Sequence, residues 1–356
     1  MNNNKEVLLL DCTLRDGGLA LEDAVKGSRS DKVYGHGDIK KLINLFSQSG
    51  LEIIELGAIE ISPDDKSDMA IYQDMESISQ TIPENRPLGQ LYAALYRGPD
   101  TPIDHIPDWR NSLCDIARVI IRYSELEKSL RFCASLSKKG YKICLQPMVT
   151  KRYSESEIQM VIDYANAMDA FAVYFVDSYG YMNIDDVHTY FDRYDKGLKQ
   201  SICIGFHPHN NINLAYANSI DFLRKRCNRR IIVDSCIMGI GQGAGNLQTE
   251  LITPHLNREY GKSYNYDAIL DACEIIDRYW EESIWGYSPT YMLPAINNTA
   301  YKFAVELRNK HKLLFKEINC LLSDISEDIR HRYTPENTAK LLEGFIRNER
   351  GREIIK

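Results

Sequence analysis

The sequence lacks the features expected of a secreted, membrane-spanning or disulfide-bonded protein. Its nine cysteines form no C-x-x-C pair, and their scattered positions favour buried, reduced thiols. No stretch approaches the ~20 consecutive apolar residues that a membrane span requires. The apolar run Val7–Leu10 is too short for the core of a signal peptide. We therefore predict a cytoplasmic protein.

A strong excess of charge of one sign is also missing. The 43 basic and 50 acidic residues are interspersed and leave a formal net charge of -7. The one basic run, Arg224–Arg226 with Arg229 and Arg230, lies between an apolar helix pattern and an apolar strand, which favours a solvated helix end. We expect neither nucleic acid nor a membrane as partner.

What the sequence does contain is an alternation of short apolar runs and longer amphipathic stretches. Such runs are typical of parallel strands covered by helices. Eight repeats over about 250 residues match a closed barrel better than an open sheet, so we predict an α/β fold, a (β/α)₈ TIM barrel. The eight predicted strands are Val7–Cys12, Glu52–Leu56, Leu91–Leu95, Arg118–Arg122, Lys142–Pro147, Ala170–Val176, Ile202–Phe206 and Arg230–Val233.

Helix-capping residues and the positions of the strand signals support this division of the chain into strands and helices. Ser154 and Glu157 have the spacing of a helix capping box. From about residue 266 onward the strand signals stop, so we predict a barrel over residues 1–265 and a helical C-terminal region over residues 266–356 that packs on it. Residues 19–36 form a polar insertion, and residues 98–111 are rich in Pro and Asp. Each is either a lid over the catalytic face or a surface excursion.

A histidine pair ends the seventh predicted strand. His207 and His209 lie two residues apart, and residues at this spacing on a strand point to the same face. Two adjacent imidazoles are a natural half of a divalent metal site; the alternative is a hydrogen-bonded pair in a loop. Pro208 cannot donate to a strand ladder, which indicates that pairing ends there.

Asp16 and Arg15 follow the first predicted strand. A carboxylate is the hard oxygen ligand that Mn²⁺ or Mg²⁺ prefers, and a guanidinium offers a fixed fork for an oxyanion. Gly17 and Gly18 permit close backbone approach or positive φ. An ion pair at a surface turn is the alternative for these two charged residues.

A glycine-rich loop follows the eighth predicted strand. Four glycines within residues 239–245 precede Asn246, and no phosphate-gripping Lys accompanies them. In a closed barrel the eighth strand lies between the seventh and the first, so Asn246 is predicted to reach the same metal. A fourth group, Asp177–Gly180, ends the sixth strand and either orients a ligand or caps the next helix.

Taken together, these blocks resemble the superfamily of metal-dependent TIM-barrel lyases and aldolases. That superfamily contains 4-hydroxy-2-oxovalerate aldolase, hydroxymethylglutaryl-CoA lyase and isopropylmalate synthase. The segment Trp285–Tyr291 is more similar to the aldolase branch, in particular to aldolase-like proteins of bacterial polysaccharide gene clusters. The blocks that carry the resemblance are Thr13-Leu14-Arg15-Asp16-Gly17, His207-Pro208-His209-Asn210-Asn211 and Gly243-Ala244-Gly245-Asn246 with Glu250.

The resemblance implies roles for single residues. Asp16, His207 and His209 would bind Mn²⁺ or Mg²⁺, with Zn²⁺ as a further option, and Asn246 would be an additional ligand or would hold one in place. Arg15 would stabilise the enolate oxygen. A tyrosine from the C-terminal helices reaches the site in the aldolases, and here either Tyr287 or Tyr291 could match it.

One position departs from the family pattern. The pyruvate aldolases carry a catalytic His three residues after the metal-binding Asp, where this chain has Leu19. His36 in the insertion is the candidate substitute, although an exposed loop histidine is the plainer interpretation. Cys236 invites comparison with the catalytic cysteine of the lyase branch. The number of residues between Cys236 and Asn246 differs by one from the spacing in the lyase branch. This difference favours a buried structural thiol.

The expected function is therefore that of a metal-dependent carbon–carbon lyase of the 4-hydroxy-2-oxovalerate aldolase type, acting through a pyruvate-like enolate. Its partners would be a 2-oxoacid and an aldehyde, in a chain that could form a homo-oligomer. Two alternatives stay open at this point. One is a Claisen-type reaction with an acyl-CoA, and the other is a barrel that keeps the metal without catalysis.

Overall fold

The computed structural model describes residues 6–82, 86–280 and 284–351, with a barrel of parallel strands at its centre. β1 pairs with both β2 and β9, which closes eight strands into the predicted TIM barrel, while the two-residue β3 adds to β2 outside it. The strands are β1 (Val7–Asp11), β2 (Ile53–Ile59), β3 (Ile71–Tyr72), β4 (Leu91–Tyr96), β5 (Ile116–Ile121), β6 (Lys142–Pro147), β7 (Ala172–Val176), β8 (Cys203–His207) and β9 (Ile231–Ser235).

Helices cover the outside of the barrel and extend beyond it. The Ser154 hydroxyl accepts from the Glu157 N–H, and the Glu157 carboxylate accepts from the Ser154 N–H, so the predicted capping box is confirmed. The helices are α1 (Thr13–Lys26), α2 (Gly35–Ser49), α3 (Met75–Thr81), α4 (Leu126–Lys138), α5 (Glu155–Ala167), α6 (Ile184–Gly197), α7 (Ala215–Arg224), α8 (Thr249–Tyr260), α9 (Tyr266–Trp280), α10 (Pro289–Ile296), α11 (Tyr301–Asn309), α12 (Phe315–Ser323) and α13 (Pro335–Gly351).

The barrel strands are buried on both faces, as their apolar runs require. All residues of β1, β8 and β9 are buried. Three charged residues interrupt the apolar pattern: Glu55 on β2, Arg118 on β5 and Asp234 on β9. Because Arg118 contacts both carboxylates and β5 is a neighbour of neither β2 nor β9, the three side chains meet inside the barrel.

The segment after β1 differs from the expectation of a polar insertion over residues 19–36. A helix, α1, begins at Thr13 and continues to Lys26. Gly17 and Gly18 lie inside it without positive φ. They are needed for close packing: a Cβ on Gly17 would lie 1.8 Å from the Tyr34 hydroxyl, and one on Gly18 would lie 1.9 Å from the Met69 carbonyl oxygen.

Residues 98–111 begin at the catalytic end of the barrel, where Arg122 directly after β5 pairs with Asp100, and they run to the opposite end. The Trp109 N–H donates to the Lys139 carbonyl at 3.0 Å, and Lys139 precedes β6. This contact lies at the end of the barrel where strands begin, opposite the face that carries active sites. The segment therefore runs along the outside of the barrel, and a lid over the catalytic face stays a prediction for its first residues.

The chain from residue 289 to residue 309 forms two helices, α10 and α11, with a break between them. Asn298 has a φ of 51° between them, a conformation that cannot continue a right-handed helix. The Thr299 N–H donates to the Pro294 carbonyl and closes the turn. This break places Tyr301 at the start of α11, facing the barrel.

The C-terminal helices divide between two apolar cores. Ile269 and Ile276 of α9 belong to the core of the barrel, and α10, α11 and α12 build a second core around Phe303 and Ile318. The division at residues 265 and 266 stays a prediction, although α9 packs as a barrel helix. No helix in the described ranges combines the length and the apolar character needed to cross a membrane.

Candidate active site

The candidate metal-binding residues come from three adjacent strand ends. Asp16 lies in the first turn of α1, directly after β1, and His207 is the last residue of β8. The loops after β8 and β9 pair with each other: the Asn210 N–H donates to the Gly245 carbonyl at 2.8 Å. This pairing includes a bridge between His209 and Asn246. Tertiary structure therefore brings all four residues to one place.

The donor atoms of these residues fit a divalent metal. The His207 Nε2 lies 3.2 Å from Asp16 Oδ2. The His209 ring centroid is 4.9 Å from that of His207, and its Nδ1 contacts the Asp177 carbonyl oxygen at 2.9 Å, which leaves Nε2 for a ligand. Asn246 Oδ1 is buried and has no hydrogen-bond partner among the residues that the structure describes. A carboxylate, two imidazoles and an unpartnered amide oxygen suit Mn²⁺, Mg²⁺ or Zn²⁺.

Asp16 and His207 also belong to a group of six ionisable side chains whose contacts form a closed ring. We call this group the charge ring. Arg15 pairs with Asp16 and, at 2.7 Å, with Glu55. Arg118 connects Glu55 at 2.8 Å with Asp234. The Asp234 carboxylate contacts His207 Nδ1 at 2.8 Å. The ring consists of Arg15, Asp16, Glu55, Arg118, Asp234 and His207, each at most 7% exposed.

The balance of charge in the ring favours a cation. With His207 neutral, two guanidinium groups face three carboxylates, which leaves one negative charge in a buried environment. An unpaired buried charge is costly in free energy. A divalent cation or a proton on His207 offsets it, so the ring is built to hold positive charge beside Asp16.

The pKa values of the two histidines shift in opposite directions. Burial alone lowers the pKa of His207, but the hydrogen bond to Asp234 outweighs it and raises the pKa. Burial and the neighbouring His207 lower the pKa of His209 to about 3. His209 is therefore a neutral imidazole, the form that binds metals. The carboxylate on Nδ1 orients His207 as metal-binding histidines are usually oriented.

Two cysteines lie beside the same group. Ligand atoms of Cys12, Asp16 and His207 fall within 4.8 Å of one another, and the Cys12 and Cys236 sulfur atoms are 3.3 Å apart. Burial raises the pKa of both thiols. They therefore stay protonated and are poorer ligands than the carboxylate and the imidazoles. All nine cysteines are free, as the sequence predicted.

A cavity of about 250 Å³ opens above the metal-binding residues. Arg15 lies at its base, and no partner for its Nη2 group is found among the described residues. Leu19, 5% exposed, belongs to an apolar wall. Polar lining residues come from the loop after β7, from the start of α11 and from the turn before α13: Ser178, Tyr179, Tyr301, Lys302 and His331.

Three of the predicted residues lie away from this cavity. His36 is exposed, and its Nε2 contacts the Ser67 hydroxyl at 3.0 Å. Tyr287 is 58% exposed. Tyr291 is buried, and its hydroxyl lies 3.2 Å from Arg29 Nη1. Their assignment as catalytic residues stays a prediction; the tyrosines that do line the cavity are Tyr179 and Tyr301.

Half of the charge ring, namely Glu55, Arg118 and Asp234, was not predicted from the sequence. Neither was His331, which lines the cavity. Glu55 and Arg118 stand inside strand-like apolar runs, and a charged residue in a buried barrel strand is itself a signal of an internal ion pair. His331 carries no comparable signal. It reaches the cavity from a turn more than 120 residues beyond β8, a placement that only the packing of the C-terminal helices decides.

Comparison with known proteins agrees with this geometry. Residues 114–277 match the family model described as HMGL-like. Over 289 residues the chain is 27% identical to a 4-hydroxy-2-oxovalerate aldolase from Marinomonas sp., with 78% of each protein covered. Over 275 residues it is 24% identical to an oxaloacetate decarboxylase from Mycobacterium tuberculosis, with 76% of each covered.

A solved structure extends the agreement to the fold. The N-terminal domain of an aldolase-like protein from Bacteroides vulgatus superposes with a TM-score of 0.67 at 20% identity, covering 86% of this chain and 98% of that one. The predicted resemblance to the superfamily of TIM-barrel lyases and aldolases is confirmed.

Proposed function

We propose that this chain, which carries an HMGL-like domain on a TIM barrel, is a divalent-metal-dependent carbon–carbon lyase acting through a pyruvate-like enolate. The observation that carries the proposal is the charge ring, which joins Asp16 and His207 on one side to Arg15 on the other. Metal-holding groups and a cation for an oxyanion thus face one cavity. The names of the relatives support the same reaction class.

The residues of the ring have separate tasks in this scheme. A divalent ion held by Asp16, His207, His209 and Asn246 would supply Lewis-acid stabilisation of negative charge on the keto oxygen of a 2-oxoacid. Arg15, held by Glu55, aims its free donors at the same oxygen. Arg118 keeps Glu55 and Asp234 in place and has no contact with the cavity.

Formation of the carbon–carbon bond needs a proton for the acceptor. The enolate carbon bonds to the aldehyde carbon, and the aldehyde oxygen takes a proton; cleavage returns that proton. Tyr179 lies on the cavity wall, and its hydroxyl is 3.0 Å from His331 Nδ1. Burial lowers the pKa of His331 to about 4, so its imidazole is neutral at pH 7. With the proton of this neutral imidazole on Nδ1, His331 donates to the phenol oxygen and leaves the Tyr179 O–H to give its proton to the aldehyde oxygen. We assign this pair the place of the histidine that Leu19 replaces.

Decarboxylation of oxaloacetate is the second candidate, and Leu19 favours it. Loss of CO₂ from this 2-oxoacid leaves the pyruvate enolate directly, without a base that removes a hydroxyl proton. The apolar wall around Leu19 and the name of one relative agree with it. The two reactions differ in their dependence on Tyr179, since only the aldol step needs its proton.

The first experiment measures exchange of the pyruvate methyl protons in D₂O by NMR, with and without Mn²⁺ (removed before detection). We expect Mn²⁺-dependent exchange in the wild type and none in His207→Ala. His188→Ala, which removes a half-buried histidine paired with Asp221 outside the cavity, is the matched control and should behave as the wild type.

The outcomes separate the open alternatives. Undiminished exchange in His207→Ala would contradict the assignment of the metal site. Absence of exchange in a metal-loaded wild type, together with turnover of an acyl-CoA, would favour a Claisen-type reaction. Absence of both would favour a barrel without catalysis.

A further inference from the structure

A second cavity lies next to the candidate active site. It has a volume of about 440 Å³ and is bounded by the end of α1 and by α11. Tyr301 and Lys302 line both this cavity and the one above the metal-binding residues. The two cavities therefore meet at the start of α11. Together they reach the size of pockets for ligands larger than a three-carbon 2-oxoacid.

The junction between the cavities is held by one carboxylate. Asp23 accepts hydrogen bonds from the Tyr301 hydroxyl, from Lys302 Nζ at 2.7 Å and from Gln242 Nε2 at 2.6 Å. Gln242 belongs to the glycine-rich loop after β9. Asp23 thus connects α1, that loop and α11 at the boundary between the two cavities.

The second cavity is rich in cations, and most of them have partners. Lys26 pairs with Glu22 at 2.8 Å, and Lys310 pairs with Glu306 at 3.0 Å. Lys302 is held by Asp23. These ion pairs satisfy the lysines within the protein itself.

Arg29 is the exception. Within the described ranges its side chain has no carboxylate partner, and the only hydrogen bond of that side chain is from Nη1 to the Tyr291 hydroxyl at 3.2 Å. Tyr291 in turn donates to the Ile284 carbonyl oxygen. The phenol thus fixes the guanidinium and leaves most of its donors free. A partly buried guanidinium with free donors on a cavity wall matches the geometry of a phosphate or carboxylate.

We propose that the second cavity binds the far end of the acceptor aldehyde, and that this end carries an oxyanion, in the first place a phosphate monoester, held by Arg29. The inference rests on the proposed function and adds the substrate class. The 2-oxoacid would occupy the metal-side cavity. The acceptor would pass Tyr301 and Lys302, and its anionic group would meet Arg29.

The test uses matched pairs of acceptors with pyruvate and Mn²⁺. The pairs are glyceraldehyde, erythrose and arabinose, each with and without a terminal phosphate. We expect one phosphorylated acceptor to be preferred in kcat/KM, with the preference depending on chain length. Arg29→Leu should lower kcat/KM for that acceptor by about tenfold or more, the effect of a lost charged hydrogen bond. It should change the unphosphorylated partner less than about twofold.

Two further variants sharpen the comparison. Arg29→Lys keeps the charge without the fork and should fall between the wild type and Arg29→Leu. Lys26→Leu removes a cation that lines the same cavity but is already paired, and should leave the preference unchanged. Equal loss with phosphorylated and neutral acceptors, or no preference in the wild type, would overturn the proposal.

A binding measurement keeps this inference separate from the proposed function. Saturation-transfer NMR with erythrose 4-phosphate needs no turnover, and pyruvate exchange needs no acceptor. We expect Arg29-dependent binding of erythrose 4-phosphate, with erythrose as the neutral control. Exchange without such binding would refute the anion site alone, and binding without exchange would refute the proposed reaction alone. Arg29-dependent binding of coenzyme A in place of the phosphorylated sugars would assign the cavity to a thioester and overturn the proposal.

Discussion

The floor and the roof of the cavity are built in different ways. The floor is the charge ring, which strand ends and α1 supply from inside the barrel. The roof consists of Tyr179, Tyr301, Lys302 and His331, of which three come from the C-terminal helices and their loops. Floor residues contact one another in a closed circuit. Roof residues are held in smaller groups, such as the pair Tyr179 and His331.

This difference suggests a division of labour. Each member of the floor has two neighbours of opposite charge or a hydrogen-bond partner, so a single change leaves a buried charge uncompensated. The roof can change with less effect on the fold. We infer that the floor governs metal binding and enolate chemistry, while the roof governs which acceptor enters and how its proton moves.

The largest effect is expected in the floor. Arg118→Met removes the only partner shared by Glu55 and Asp234, both almost completely buried. We expect a loss of ~3–5 kcal/mol in the free energy of unfolding, the usual result of breaking a buried ion pair. Urea denaturation measures it. Arg131→Met, which breaks an exposed pair with Glu127, should change stability by less than ~1 kcal/mol. Similar values for the two variants would contradict this account of the floor.

A change in the roof should affect turnover without affecting the metal. Tyr179→Phe removes the hydroxyl that contacts His331, and we expect the rate of aldol cleavage to fall by ~100-fold, within the usual range for lost proton transfer. Mn²⁺ affinity, followed by calorimetry, should stay that of the wild type. Retention of oxaloacetate decarboxylation in this variant would identify that reaction as independent of the pair. A parallel loss of Mn²⁺ affinity would show that floor and roof are not separate.

A buried carboxylate on α1, Glu22, offers a test by pH. Burial opposes ionisation of Glu22, but Lys26, Lys66 and Arg97 outweigh it and lower its pKa to about 2. The folded pKa is below the unfolded one, so this stabilisation is present above pH 4.5 and is lost as the pH falls towards 2. Because Lys26 is 59% exposed, solvent screening reduces the stabilisation that its ion pair with Glu22 contributes. We expect Glu22→Gln to cost about 1–2 kcal/mol at pH 7 and less at pH 3.

Thermal or urea unfolding of Glu22→Gln and of the wild type at pH 7 and pH 3 measures this difference in the free energy of unfolding. Glu127→Gln, at an exposed pair on α4, is the control and should show a difference of only a few tenths of a kcal/mol. A Glu22→Gln effect that is equal at pH 7 and pH 3 would remove the electrostatic explanation.

The smallest effect is expected at Tyr287. Its side chain is 58% exposed and lies outside the cavity, so Tyr287→Ala should change pyruvate exchange, aldol kinetics and stability by little, within ~0.5 kcal/mol. A loss comparable with that of Tyr179→Phe would return the catalytic tyrosine to the segment that the sequence resemblance named.

Much of the barrel side of the site could be predicted because its signals are local. The runs of apolar residues at strand length predict the parallel barrel, and His207 and His209 stand directly at a strand end. The order of strands in a closed barrel then places Asp16 and Asn246 beside them. Only the local conformation after β1 was wrong, since a helix begins at Thr13 where a polar insertion was expected.

The roof could not be predicted in the same way. Tyr301 and His331 reach the cavity because α10 and α11 break at Asn298 and pack on a core of their own. No spacing of residues in the sequence predicts that Tyr301 and His331 line the cavity. The predicted tyrosines lie in the right region of the chain, but Tyr291 points its hydroxyl at Arg29 and not at the metal side.

By itself, then, the sequence determined the barrel, its strand ends and the residues that converge there, because hydrophobic periodicity and barrel closure act through neighbours in the chain or in the sheet. Only the tertiary structure decided that Glu55, Arg118 and Asp234 meet inside the barrel and that His331, Tyr301 and Arg29 shape the space above it. Charge pairing across a barrel and helix packing join residues that are distant in sequence, and no local pattern records which pairs will meet.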